Sequence, residues 1–343
     1  MEPPECATIA MAIPPQCAAQ LKSGIHSRRT SFVVSSHRVR GVFAPVVTPF
    51  EADLRPDATR LVRHCRWLLD QDVGLAVFGT NSEANSLTVR EKLDLLDALA
   101  AAGIPAERMM PGTGCCAFPD TVELTRRAVA QGCAGVLMLP PFYYKGVSDD
   151  GLFSSYAEVI ERVADDRLRI YLYHIPPVSQ VPISFALIER LLARYPRAIA
   201  GIKDSSGDWN NTRAMLDRFQ PLGFDVFAGS ETFLLATLRA GGAGCISATA
   251  NVNPRAIATL ARGWRKPDAE VRQAALDRIR ATFQKSPMIP ALKAAIAHFS
   301  GDDGWAVVRP PLVALSVDER HRFIDALTPI PFAIPGLAEV ADV

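Results

Sequence analysis

From Gly41 onward the chain alternates short apolar runs rich in Val and Ile with turns of Gly, Pro, Ser or Thr. Each turn leads into a stretch whose apolar residues recur at helical spacing. The apolar runs are Gly41 to Val47, Gly74 to Phe78, Arg108 to Gly112, Gly135 to Leu139, Leu168 to Tyr173, Ala198 to Ile202, Phe224 to Ala228 and Gly244 to Ser247. Helical patterns between them include Ala58 to Asp70, Val89 to Ala102, Val122 to Gln131, Leu152 to Ala164 and Ser184 to Arg194. This alternation predicts parallel strands joined by helices. Eight units within residues 41–265, with no Gly-x-Gly-x-x-Gly turn after the first strand, predict a closed (β/α)8 TIM barrel rather than a dinucleotide-binding sheet. Three further helical patterns, Asp268 to Gln284, Ile289 to Phe299 and Ser316 to Leu327 with Ser316 as N-cap, make residues 266–343 a C-terminal helical appendage and tail.

Composition narrows the partners. With 37 basic and 36 acidic side chains among 343 residues, the formal charge of +1 offers no footprint for nucleic acid or an anionic membrane. No stretch reaches the roughly 18 apolar residues of a membrane span. Seven cysteines, an odd number without metal-ligand spacing, read as reduced thiols and a cytoplasmic setting. No acidic residue occurs from Cys6 to Phe50, where Lys22, Arg28, Arg29, Arg38 and Arg40 lie among Ser and Thr. That bias partly suits a transit segment, but Glu2, Glu5, Pro14 and Pro15 spoil the amphipathic helix such a segment needs. Residues 1–40 therefore read as a disordered extension, or as the product of a start codon upstream of the real one.

Barrel enzymes place their chemistry where strands end. Lys203 stands directly at the end of the sixth run, after Ile202, and strand alternation puts Ile199, Gly201 and Lys203 on the inner face, with Ala200 and Ile202 against helices. Gly201 would leave space beside the lysine. A partly desolvated ammonium there suits an amine nucleophile, although a lysine at a strand end can equally snorkel to solvent. Tyr173 closes the fifth run one strand away, where a phenol can shuttle protons or simply pack. Gly79-Thr-Asn-Ser-Glu83 follows the second run and offers backbone N–H groups and the Thr80 hydroxyl to a carboxylate, or plain helix caps. Pro140 to Gly146 after the fourth run carries Tyr143 and Tyr144, which suit the site mouth or an interface.

Together these segments resemble the dihydrodipicolinate synthase and N-acetylneuraminate lyase family of Schiff-base aldolases, over Gly41 to about Leu315. That family carries Gly-Thr-Thr-Gly-Glu, Pro-Tyr-Tyr, Tyr-Asn-x-Pro and Gly-x-Lys in this order. Here the corresponding segments are Gly79 to Glu83, Phe142 to Tyr144, Tyr173 to Pro176 and Gly201 to Lys203. The resemblance implies that Lys203 forms an imine with pyruvate or another 2-oxo acid. It further implies a proton relay of Tyr173, Thr80 and Tyr144, the last reaching in from a neighbouring subunit of a homo-oligomer, dimer or tetramer. Thr80, Asn81, Ser205, Gly229, Glu231 and Val178 are the expected substrate-binding positions, with no metal and no organic cofactor.

Departures point to a subfamily. Synthases that condense pyruvate with aspartate semialdehyde usually carry Arg five residues beyond the relay tyrosine, where this chain has Val178. Neuraminate lyases use an Asp-Glu pair after the glycine of the seventh strand and a Ser in the eighth, where this chain has Glu231, Thr232 and Ala248. Asn81, with Phe-Tyr-Tyr and Gly-x-Lys-Asp-Ser, looks more like the 4-hydroxy-2-oxoglutarate aldolase branch. The expectation is a lysine-imine lyase of hydroxylated 2-oxo acids. The alternatives are 4-hydroxy-tetrahydrodipicolinate synthase, a deoxy-oxo-sugar acid dehydratase, and a catalytically silent regulatory relative.

Overall fold

The computed structural model describes residues 39–337, so most of the expected N-terminal extension lies outside the described residues. Among those described, seven strands form one sheet: β1 (Gly41–Ala44), β2 (Gly74–Leu75), β3 (Val136–Met138), β4 (Ile170–His174), β5 (Ile199–Asp204), β6 (Asp225–Ala228) and β7 (Gly244–Ile246). Their order is β2-β1-β7-β6-β5-β4-β3, and every ladder is parallel.

The third apolar run, expected as a strand, forms no ladder. It still lies between the two sheet edges. Met110 and Gly112 donate N–H to Leu75 O and Val77 O at 2.8 and 2.7 Å, and Leu137 donates to Pro111 O at 2.9 Å. Single parallel bridges, Leu75 to Met109 and Gly112 to Leu137, join β2 to β3 through this segment. Pro111 has no N–H to donate, so pairing there is interrupted.

Helices cover the sheet: α1 (Ala58–Asp70), α2 (Val89–Ala101), α3 (Phe118–Ala130), α4 (Asp149–Val163), the single turn α5 (Pro176–Ser179), α6 (Phe185–Arg194), α7 (Trp209–Phe219), α8 (Leu234–Arg239) and α9 (Pro254–Gly263). Their starts follow cap chemistry. Asp57, Ser148, Ser184 and Asp208 each accept a first-turn N–H, and Thr88 and Glu91 form a reciprocal capping box. Helices α3 and α4 begin four and three residues before the expected Val122 and Leu152, because apolar spacing marks the buried face and not the largely exposed opening turn. Beyond the sheet lie α10 (Ala269–Phe283), α11 (Met288–Ser300) and α12 (Val317–Leu327), the last capped by Ser316.

Side chains divide into layers. Ile170, Leu172, Ile202 and Val226 pack outward against Leu187, Ile188, Leu191, Met215 and Leu216 of the helices. Phe43, Met110, Leu137, Tyr171, Phe227 and Ile246 form a separate inner cluster. Each such side chain removed from water contributes roughly 1.5–3 kcal/mol. One expected facing is corrected: the β4–β5 register shifts beside Ile170, so that Ile199 pairs with Ile170 and Gly201 with Tyr171. Ala200 is the extra residue, and Ile199 joins the outer, helix-facing cluster while Ala200 packs on the inner one. Beyond the shift Ile202 points to the helices as expected. None of the described helices is long and apolar enough to cross a membrane.

Candidate active site

Parallel pairing of β4 with β5 sets Tyr173 directly beside Lys203. Both are buried, at 3% and 2% exposure, and the Lys203 ammonium lies 4.1 Å from the centre of the Tyr173 ring. A lysine this deep cannot be the solvent-reaching side chain that position alone allowed. Gly201, two residues before it, does not leave the open space expected. A Cβ there would lie 2.3 Å from the Asp225 carbonyl oxygen and 2.8 Å from the Tyr171 ring, so glycine is what lets β5 approach β6 this closely.

The turn after β2 supplies the next group. Thr80 Oγ1 and the Tyr173 hydroxyl are hydrogen-bonded at 3.1 Å across 93 residues of sequence. Thr80, Asn81 and Ser82 form one 3₁₀ turn flanked by two non-glycine residues of positive φ, Phe78 at 61° and Glu83 at 55°. Such conformations persist where surrounding contacts hold them. Ser82 Oγ accepts the Gly79 N–H at 3.1 Å, and Thr48 Oγ1 donates to Ser82 O at 2.7 Å. Among the described residues the N–H groups of Thr80 and Asn81 find no acceptor, which leaves two donors for an anion.

The remaining expected positions divide. Gly229 and Ser205 touch: Gly229 N–H donates to Asp204 O at 2.7 Å, and a Cβ on Gly229 would lie 2.1 Å from Ser205 Oγ. Glu231 is buried at 1%, and its carboxylate accepts short hydrogen bonds from Ser247 and Thr249, with Arg280 Nη1 at 3.3 Å. Val178 lies on α5 and is 59% exposed. Tyr143 and Tyr144 are exposed at 74% and 73%, their rings edge to face at 5.4 Å. Their loop is docked by Lys145, which donates to Phe142 O and, at 2.8 Å, to the carbonyl of Ser179, the residue after Val178.

Next to Tyr173, the buried His174 accepts the Ile183 N–H on Nδ1 at 3.0 Å, and burial lowers its pKa below the ordinary value. Asp204, after the lysine, accepts from Thr212 Oγ1 at 2.6 Å and Asn211 Nδ2 at 3.1 Å, which ties the strand end to α7. Among the described residues no group of three or more His, Cys, Asp or Glu could hold a metal ion. Sequence reasoning missed Ser247, Thr249 and Arg280 around Glu231, and Lys293 behind the Thr80 turn. The last had a signal, a lone lysine within the apolar stretch Ala291 to Ala297.

The model of the dihydrodipicolinate synthetase family matches residues 38–330, and the chain belongs to that family. It is similar, at 32% identity, to an uncharacterized DapA-like lyase of Chloroflexus aurantiacus, with 82% of this chain and 93% of that one covered. A 4-hydroxy-tetrahydrodipicolinate synthase of Methanococcoides burtonii is 29% identical, covering 84% of this chain and 97% of its own length. Among solved structures, dihydrodipicolinate synthase from Agrobacterium tumefaciens superposes with a TM-score of 0.78 at 32% identity, covering 85% of this chain and 99% of that one. YagE of E. coli K12, solved in complex with pyruvate, gives a TM-score of 0.78 at 26% identity, covering 86% and 99%.

Proposed function

We propose that this member of the dihydrodipicolinate synthetase family is a lysine-imine lyase that cleaves or forms a carbon–carbon bond in a hydroxylated 2-oxo acid, with pyruvate as product or donor. The observation that carries the reading is the convergence of Lys203, Tyr173 and Thr80 from three separate elements. A purely binding protein has no need of an amine, a phenol and a hydroxyl in contact at strand ends.

The Lys203 nitrogen, its ammonium proton released to water, attacks the keto carbon, and return of a proton to the carbinolamine hydroxyl expels water and leaves a protonated imine. In the cleavage direction the 4-hydroxyl proton passes to the Tyr173–Thr80 pair as the C3–C4 bond breaks and the aldehyde leaves. The bonding electrons flow into the imine, giving an enamine. Protonation at C3 and addition of water then release pyruvate and the free amine. The unbonded N–H groups of Thr80 and Asn81 suit the 2-oxo acid carboxylate, Ser205 and Gly229 flank the β5 and β6 ends, and Glu231 serves through its Ser247 and Thr249 contacts. Tyr144, exposed beside Tyr143, suits donation of a hydroxyl into the site of a second copy in a homo-oligomer. The Val178 position favours a lyase over the aspartate semialdehyde synthase, since valine cannot pair with the second substrate's carboxylate.

Treatment with pyruvate and borohydride tests the reading, because reduction makes the C=N bond permanent. Label is expected on the Lys203 peptide and absent in Lys203→Ala. Pyruvate binding without any label on that peptide would overturn it. Pyruvate release from a panel of 4-hydroxy-2-oxo acids, beside condensation with aspartate semialdehyde, separates lyase from synthase. Tyr143→Phe and Tyr144→Phe, assayed in parallel, identify which hydroxyl serves the relay.

A further inference from the structure

Glu83 ends the turn that carries Thr80, yet its carboxylate is engaged by residues from the far end of the chain. One oxygen meets the Lys293 ammonium of α11, and the other accepts the Arg309 N–H at 2.9 Å. Both side chains of the ion pair are completely buried. Lys293 also donates to Val307 O at 2.7 Å and stands 4.4 Å from the centre of the Phe50 ring. The Arg309 guanidinium lies 4.7 Å from the same ring and is anchored by Glu91, Leu54 O and Ser86 O.

Stability alone does not explain this arrangement. Desolvation largely offsets the attraction within a buried ion pair, and apolar side chains of the same volume often serve as well. The rest of α11 facing inward is apolar, including Ala291, Leu292, Ala294, Ala295 and Ile296. What an ion pair supplies and an apolar filling does not is a fixed point in space. The turn needs one, because Glu83 itself holds a left-handed backbone conformation.

We infer that Glu83 and Lys293 are positioning residues, whose buried ion pair holds the Gly79–Glu83 turn so that the Thr80 hydroxyl meets Tyr173 and the free N–H groups of Thr80 and Asn81 stay aligned for the substrate carboxylate. The inference rests on the lysine-imine reading. It gives the helices beyond the sheet a part in catalysis without any contact to substrate.

Borohydride titration with pyruvate yields the trappable sites per chain and the pyruvate concentration for half-maximal trapping, and pyruvate release from a 4-hydroxy-2-oxo acid, divided by those sites, yields turnover per trappable site. Glu83→Asp keeps the charge and shortens the link by one methylene. The double variant Glu83→Gln with Lys293→Met removes both charges together, so that no ion is left buried alone. In both, half-maximal trapping is expected to need about tenfold more pyruvate, with turnover per trappable site about tenfold lower. A role in stability alone would reduce the number of trappable sites and leave the half-maximal pyruvate concentration and the turnover per site untouched. The inference is overturned if a folded variant matches the wild type within about twofold in both the half-maximal pyruvate concentration and the turnover per site. Should the double variant not fold, Glu83→Asp decides by the same readings. A wild-type protein that traps no pyruvate would sink the lysine-imine reading instead, which is a distinct result.

Discussion

Thr80→Val removes one hydroxyl, keeps the side chain's shape, and takes away the 3.1 Å partner of the Tyr173 hydroxyl. Two magnitudes compete. If that hydrogen bond only stabilises the fold, its loss is worth about 0.5–1.5 kcal/mol, or about a twofold to twelvefold change in any equilibrium it supports. If the pair moves the proton of the leaving aldehyde, loss of general acid–base catalysis lowers kcat by about 10²–10⁴. Thr80 is half-buried and its partner fully buried, so water can replace the missing hydroxyl only in part. We therefore expect at least about a hundredfold loss of kcat, with borohydride capture at saturating pyruvate retained because Lys203 is untouched. The assay is pyruvate release from a 4-hydroxy-2-oxo acid that the wild type cleaves. Tyr173→Phe should show a comparable loss, and the double variant should fall no more than about threefold below the worse single one, since a broken relay cannot be broken twice. A loss under about tenfold for Thr80→Val, or single losses that multiply in the double variant, would refute the relay.

Three further outcomes test other parts of the argument. Val178→Arg, at an exposed position with room for the longer side chain, should raise condensation with aspartate semialdehyde by about tenfold to a hundredfold, from a charge-assisted contact worth about 1.5–3 kcal/mol. Efficient condensation by the unmodified protein would show that another cation holds that carboxylate. Gly201→Ala forces a methyl against the Asp225 carbonyl and the Tyr171 ring and should cost about 1–3 kcal/mol in urea unfolding while slowing pyruvate capture at Lys203; unchanged stability contradicts the close strand approach. The Arg309 guanidinium holds the Glu91 carboxyl at about 2, below its ordinary value of 4.5. The pair therefore stabilises the fold above the unfolded value and loses that contribution as pH falls from about 5 toward 2. Glu91→Gln should thus destabilise by about 1.5–3 kcal/mol at pH 7 and by progressively less in acid, and a penalty constant with pH argues against this pairing.

Local pattern carried far in this chain. The period-two runs and the turns after them placed Lys203, Tyr173 and Thr80 at strand ends, because a strand's alternation fixes which residues share a face and its last residue borders the loops. Helical spacing found the buried faces of α1 and α6, and the four ordered motifs identified the family. Other features were decided only in three dimensions. The register shift that turns Ile199 outward depends on how β5 meets β4, which alternation within a single strand cannot register. The third run read as a strand from its apolar residues, but its pairing depended on whether Pro111 had to donate to a neighbour. Glu83 read as the end of a substrate loop, and its partners Lys293 and Arg309 lie more than 200 residues further along the chain. Glu231 read as a substrate contact from its place in the chain, and its partners Ser247, Thr249 and Arg280 came together only in the fold. The physical reason is common to these cases. Periodicity is a property of neighbours in sequence, whereas the partner of a buried charge is chosen by sheet curvature and helix packing, which bring distant segments to within hydrogen-bond reach.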